Sequence, residues 1–313
     1  MASIKIEELK GIKGVGVGII DKIYEHLRNK EVEENGIILP KIDEIEDVIA
    51  GKSEGAIVCG SNTGVLRTID DGKIDLTVTS PPYDDLRSYE GYELNVERLI
   101  KELFRVTKEG GTVVWIVGDA TIDGSETGSS FRQALKFKDV GFHLNDTMIY
   151  QKNTSSFPSK RKDKRYTQIF EYMFVFTKGK PKDFNLIADK KNKRAGEINW
   201  GSNTARGKDG KLVEQSDIKT VPEYSPRNNV WEYIVGGGFG STDEEAYEHP
   251  AIFPEKLAED HIKSWSKEGD IVLDPMVGSG TTAKMAKLNN RRYIGIDISK
   301  KYCELSKERL EKY

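Results

Sequence analysis

Apolar positions along this chain change period several times. Short β-branched runs recur from Ala56 onward: Ala56-Ile57-Val58-Cys59, Ile74-Asp75-Leu76-Thr77-Val78, Thr112-Val113-Val114-Trp115-Ile116-Val117, Ile271-Val272-Leu273 and Tyr293-Ile294-Gly295-Ile296. They are continuous rather than alternating, as expected of strands buried on both faces of a parallel sheet. Between them the spacing shifts to three and four. Asn95 caps a predicted helix carrying Val96, Leu99, Ile100, Leu103 and Phe104, and Gly110-Gly111 turns the chain into the next strand. Leu257, His261, Ile262 and Trp265 mark a second helix, Thr281 to Met285 a short third, and Ile298, Tyr302, Leu305 and Leu310 a terminal one. Asp146–Gln151 and Tyr172–Phe176 are expected to pair as a hairpin. The fold class is α/β, Rossmann-like, with a mixed and mostly parallel sheet.

Two stretches depart from this pattern. Residues 6–27 carry Leu9, Ile12, Ile20, Ile23 and Leu27 at helical spacing around Gly14-Val15-Gly16. They resemble a helix-hairpin-helix element, in which Gly14 and Gly16 offer backbone N–H groups to a DNA phosphate; a packing hairpin or a protein contact fits the pattern equally. From Lys178 to Arg227 periodicity fades into Lys, Arg, Asn, Gly and Ser, as in an inserted lobe. The expected division is an N-terminal helical segment (1–50), a first half of the α/β domain (51–184), the inserted region (185–230) and a second half of the α/β domain (231–313). Trp200 and Trp231 read as anchors of the lobe, and Gly236–Gly240 as a covering loop or a linker.

Charge sharpens this division. The net charge of the 313-residue chain is −3, yet residues 151–230 hold eighteen Lys and Arg against nine Asp and Glu. The densest run contains Lys160, Arg161, Lys162, Lys164 and Arg165 and reads either as a solvated face or as a phosphate contact. Cys59 and Cys303 form neither a metal-ligand pattern nor a disulfide framework and read as packing residues. No apolar run reaches the roughly 20 residues that cross a bilayer, and no signal-peptide pattern opens the chain. A soluble, cytoplasmic protein is expected.

Candidate chemistry sits after two of the predicted strands. Asp274-Pro275-Met276-Val277-Gly278-Ser279-Gly280-Thr281-Thr282 places close-set glycines between a strand and a helix, so that backbone can approach a ligand and present free N–H groups. Asp297 ends the next strand, where a carboxylate can accept ribose hydroxyls. A phosphate-binding loop would carry lysine where Thr281 stands, so a nucleoside without a bound phosphate fits better. The second segment, Thr79-Ser80-Pro81-Pro82-Tyr83, follows the strand at Ile74.

Together these segments resemble the amino-methyltransferases of DNA in their permuted β-group order, with the catalytic motif ahead of the cofactor motif. The resemblance runs from about Ala56 to the C-terminus. It includes Gly60-Ser61, Phe104-Arg105-Val106, Gly110-Gly111, Gly118-Asp119, His249-Pro250 and Phe253-Pro254-Glu255-Lys256. It departs from the family at Met276, where phenylalanine is usual, and at Ser61, often acidic.

The resemblance implies S-adenosylmethionine as cofactor, no metal, and double-stranded DNA as partner, and leaves open a cognate restriction endonuclease. Implied for catalysis are Ser80, Pro81, Pro82 and Tyr83, with Asp119 assisting loss of the amine proton or capping a helix. Implied for the cofactor are Ser61, Thr79, Phe253, Pro254, Lys256, Asp274, Pro275, Met276, Gly278, Ser279, Gly280, Thr281, Thr282 and Asp297. Serine as the first letter of Ser-Pro-Pro-Tyr is associated with N4 of cytosine, aspartate with N6 of adenine; both targets stay open. So does a noncatalytic DNA-binding protein that retains the fold.

Overall fold

Eight strands form one sheet in the computed structural model, which describes residues 4–5, 37–38, 41–82, 94–153, 166–198, 203–215, 220–235, 238 and 240–313. The strands are β1 (Gly55–Cys59), β2 (Ile74–Thr79), β3 (Thr107–Val117), β4 (His143–Lys152), β5 (Phe170–Thr177), β6 (Val230–Tyr233), β7 (Ile271–Asp274) and β8 (Arg292–Asp297). The helices are α1 (Asp43–Ile49), α2 (Asn62–Leu66), α3 (Val96–Val106), α4 (Ser129–Val140), α5 (Glu255–Trp265), α6 (Thr281–Leu288) and α7 (Lys300–Leu310). None of the helices among the described residues is long and apolar enough to cross a membrane.

Spatial order across the sheet is β6-β4-β5-β3-β2-β7-β8-β1. Only β5 runs against its neighbours: it pairs antiparallel with β3 and β4, and the other pairings are parallel. The expected hairpin forms, with Asp146 opposite Val175 and Gln151 opposite Phe170. After β2 the chain moves to β3 on one side, and after β7 to β8 on the other. The order therefore reverses between β2 and β7, and open α/β sheets bind ligands beyond the carboxyl ends of strands at such a point.

The continuous apolar runs are buried as their pattern demands; all six residues of β2 and all four of β7 are enclosed. Under one face Trp115, Phe137, Phe142, Phe174 and Phe176 join the main core, with Phe137 and Phe176 stacked at 4.2 Å. Trp115 keeps its indole N–H satisfied by donating to Gln133 Oε1 at 2.8 Å.

Several elements differ from expectation. Ile4–Lys5 and Ile37–Ile38 pair in parallel within a segment read as helical. Ile45 and Val48 of α1 belong to the main core, so the α/β unit begins before residue 50. Trp231 lies in β6, at the edge of the main sheet, with its ring 4.8 Å from His261. Cys59 is exposed while Cys303 is buried.

Leu186–Asn228 forms a compact unit of its own, distinct from that of Met1–Asn185 and Asn229–Tyr313. It is less irregular than its sequence indicates. Ala188–Lys191 pairs antiparallel with Tyr224–Pro226, and Asn203–Arg206 with Leu212–Gln215. Within it, Arg227 holds Asp189 by an ion pair.

Candidate active site

Two segments far apart in sequence meet at the reversal point. Strands β2 and β7 pair with Val272 opposite Leu76 and Leu273 opposite Thr77, which leaves Thr79 and Asp274 at neighbouring carboxyl ends. Thr79 Oγ1 donates to Asp274 Oδ1 at 2.7 Å, and Thr282 Oγ1 donates to the Val78 carbonyl at 3.2 Å. Ser80 therefore leaves β2 beside the turn that leaves β7. Pro81 is buried, and Ser80 and Pro82 are half-buried.

The glycine-rich turn is wound tightly on itself. Met276 N–H donates to Asp274 Oδ1 at 3.1 Å, Val277 N–H to the Ile296 carbonyl at 2.9 Å, Gly278 N–H to Asp297 Oδ2 at 2.9 Å and Gly280 N–H to the Val277 carbonyl at 2.8 Å. Of the N–H groups expected to face a ligand, these four are consumed within the protein. The glycines answer a packing demand instead. Gly278 has φ +50°, and a Cβ there would lie 2.9 Å from His249 Nε2. Gly280 has φ +82°, and its Cβ would press on Ser306 at 3.1 Å.

Two carboxylates border this turn. Asp274 is enclosed, and burial pushes its carboxyl up to about 6 despite hydrogen bonds from Thr79 and Met276; the charge of Asp297 adds to the rise. Asp297 also accepts from Ser299 N–H at 2.9 Å. Cys59 lies opposite Asp297 in the sheet, and Gly60 N–H donates to the Asp297 carbonyl at 2.9 Å, which brings Ser61 next to it. Ser61 caps α2 through a hydrogen bond from Gly64 N–H at 3.1 Å.

A turn that binds two carboxylates through its own amides, with Thr281 where a phosphate loop carries lysine, suits a cationic, hydroxyl-bearing group better than a phosphate. S-adenosylmethionine, a sulfonium nucleoside, meets that description.

Elsewhere the expected site residues divide. Phe253 is half-buried, and Pro254 is buried as the residue that opens α5. Lys256 points along α5, tied to Asp260 at 2.7 Å and Glu259 at 2.9 Å. Asp119, read either as an aid to proton loss or as a helix cap, caps α4. Its Oδ1 accepts from Ser130 N–H at 2.9 Å and Ser129 Oγ at 3.1 Å, and its Oδ2 from Ser130 Oγ at 2.5 Å. Burial opposes its charge, but these hydrogen bonds outweigh burial and hold the carboxyl below its ordinary range, which makes it a weak base. Tyr83, the run Lys160 to Arg165, Gly14 and Gly16 lie outside the described residues.

The family model described as DNA methylase, of the N6 and N4 methyltransferases, matches residues 74–308 and so spans both segments. The chain belongs to the DNA methylase family. This DNA methylase is 60% identical over 245 residues to the orphan methyltransferase M.BamHII of Bacillus amyloliquefaciens, covering 78% of the chain and 91% of that protein. It is 30% identical over 268 residues to the type II methyltransferase M.HpaI of Haemophilus parainfluenzae, covering 82% and 74% respectively. In fold it resembles the cytosine-N4-specific PvuII DNA methyltransferase with TM-score 0.59 at 21% identity, covering 82% of this chain and 86% of that one. The M1.HpyAVI–SAM complex gives TM-score 0.52 at 20% identity, covering 82% and 98%.

One part of this DNA methylase carries no motif. Asp243, Glu255, Lys284 and Arg309 form a buried charge cluster behind the glycine-rich turn. Its members are spread over 66 residues, so no local pattern announces it. The available signal is that Arg309 shares the helical stripe of Cys303, Ser306 and Leu310, the buried face of α7.

Proposed function

We propose that this DNA methylase transfers the methyl group of S-adenosylmethionine to the exocyclic N4 amine of cytosine in a flipped-out base of double-stranded DNA. The observation that carries this reading is the Thr79–Asp274 hydrogen bond, 2.7 Å long, which joins the Ser80-Pro81-Pro82 segment to the cofactor turn. S-adenosylmethionine supplies an electrophilic methyl group when bound. Asp274 and Asp297 are proposed to hold its cationic and hydroxyl-bearing parts, with Ser61, Phe253, Pro254 and the Pro275–Thr282 turn around them.

An exocyclic amine is a poor nucleophile because its lone pair is delocalised into the ring, so the site must orient it and accept its hydrogens. Ser80 Oγ and a carbonyl of the Pro81-Pro82 turn are proposed as acceptors, and the prolines stiffen that turn without adding competing N–H donors. Tyr83 is proposed to stack on the extruded base, a contact typically worth about 1–3 kcal/mol. Extrusion costs a few kcal/mol, whereas orientation of two reactants contributes roughly 7–11 kcal/mol, so positioning is the larger effect. Asp119 is assigned to holding α4 rather than to proton transfer.

The serine at position 80 and the likeness to the cytosine-N4-specific PvuII methyltransferase favour cytosine over adenine. The run Lys160 to Arg165 and the Leu186–Asn228 unit are proposed for phosphate contact and base reading respectively. M.BamHII is named an orphan, and its likeness favours action without a paired endonuclease.

Single-turnover kinetics of Ser80→Ala tests the assignment. The transfer rate is expected to fall on the order of 100-fold, with S-adenosylmethionine affinity within about threefold of wild type. Equal losses in rate and affinity would remove Ser80 from the chemistry.

A further inference from the structure

Arg309, on the buried face of α7, is enclosed by protein and reaches two separate parts of the chain. On one side its Nη1 donates to the Ser279 carbonyl at 2.7 Å and to Thr281 Oγ1 at 3.2 Å, from behind the glycine-rich turn. On the other, Nη2 donates to Ser241 Oγ at 2.8 Å and Glu255 Oε1 at 2.5 Å, and Nε to Asp243 Oδ2 at 2.5 Å. Lys284 Nζ joins the same carboxylates, at 2.9 Å from Asp243 Oδ2 and 2.9 Å from Glu255 Oε1. Tyr313 completes the set by donating its hydroxyl to Asp243 Oδ1 at 2.5 Å.

Burying two cations and two carboxylates carries a large desolvation cost that well-packed apolar residues would avoid, so stability is a weak reason for the cluster; geometric definition is a better one. The geometry defined is that of the turn against the segment Ser241–Glu255. That segment also carries His249, whose ring lies so close over Gly278 that a Cβ would meet Nε2 at 2.9 Å. From the α7 side Ser306 Oγ donates to the Gly278 carbonyl at 2.7 Å. A planar guanidinium can serve the Ser279 carbonyl and the Glu255 carboxylate at once, with directions fixed by its fork; an ammonium at the same place cannot.

We propose that Arg309 is a positioning residue for S-adenosylmethionine, fixing the Gly278–Thr281 turn to the Ser241–Glu255 segment and so setting cofactor affinity without touching the reacting atoms. The proposal rests on the reading of this turn as the cofactor loop.

Calorimetric titration with S-adenosylmethionine and steady-state kinetics on unmethylated duplex DNA test it in four full-length variants. Arg309→Lys is expected to raise both Kd and KM for S-adenosylmethionine about tenfold, with kcat at saturation within about threefold and DNA affinity unchanged. Tyr313→Phe loosens the same cluster without touching the turn; it is expected to lower the melting temperature and leave that KM within about twofold. Glu255→Gln keeps the shape and weakens the bridge, and a raised KM is expected there too, which decides the matter should Arg309→Lys fail to fold. Unchanged KM in whichever of Arg309→Lys and Glu255→Gln folds would overturn the proposal. So would a KM that rises in Tyr313→Phe in step with lost stability. Asp297→Ala separates the underlying reading: if it binds S-adenosylmethionine like wild type, the cofactor loop itself is misassigned, whereas its loss beside an unaffected Arg309→Lys defeats the role of Arg309 alone.

Discussion

Burial raises the Asp274 carboxyl to about 6, so in the protein without cofactor a substantial fraction is protonated in mildly acidic solution. If Asp274 holds the cationic end of S-adenosylmethionine, binding requires the carboxylate and releases a proton below that value. Affinity is then expected to rise about tenfold per pH unit up to about 6 and to level above it. Asp274→Asn should bind more weakly and lose the slope; titration calorimetry across pH 5–7.5 reads both, and a slope that persists in the variant would place the titrating group elsewhere. The same residue marks a limit of sequence reading. Asp274 and Asp297 are legible as site carboxylates from their places after β-branched runs. That Asp297 consumes the N–H group of Gly278 is not, because that hydrogen bond exists only once β7 and β8 are side by side.

The strands and most helices follow from their apolar period, and the misses have physical causes. Helix α4 is hidden because its large apolar residues do not all face inward: Phe131 and Leu135 are 51% and 59% exposed, while Ser129 and Ser130 are buried. Its start is also unmarked, since Gly128 stands where a capping side chain would be and the cap arrives from Asp119, beyond the end of β3. Removing that cap in Asp119→Ala should cost about 1 kcal/mol and lower the melting temperature by roughly 2–4 °C. Transfer at saturating cofactor should fall far less than in Ser80→Ala. A large loss of rate at unchanged melting temperature would return Asp119 to the chemistry. Strand β6 is short and follows a basic, aperiodic stretch, so only its pairing with β4 reveals it.

Among the described groups that shape acid stability, buried His261 and Asp274 act in opposite directions. His261 is fully enclosed, and burial depresses it to about 3 from its ordinary value of 6.5. The unfolded chain therefore binds a proton first, and the stability held by neutral His261 is lost as pH falls from about 6.5 towards 3. Asp274 is raised, so its contribution is full below the unfolded carboxyl value of 3.8 and is lost as pH rises through about 6. Between about 4 and 6 the slopes oppose, each at most about 1.4 kcal/mol per pH unit. Asp274→Asn should remove one of them, so urea unfolding from pH 4 to 6.5 is expected to show a steeper acid loss in the variant than in wild type. Parallel curves would mean that Asp274 ionises normally.

The base that receives the methyl group is reported directly by the modified nucleoside. Unmethylated duplex DNA is incubated with the protein and isotopically labelled S-adenosylmethionine, digested to nucleosides and measured by mass spectrometry, with Ser80→Ala alongside. Label in N4-methylcytosine, greatly reduced in the variant, is the predicted result. Label in N6-methyladenine would contradict the choice of base while keeping the site, and absence of label with DNA binding intact would contradict the catalytic reading itself.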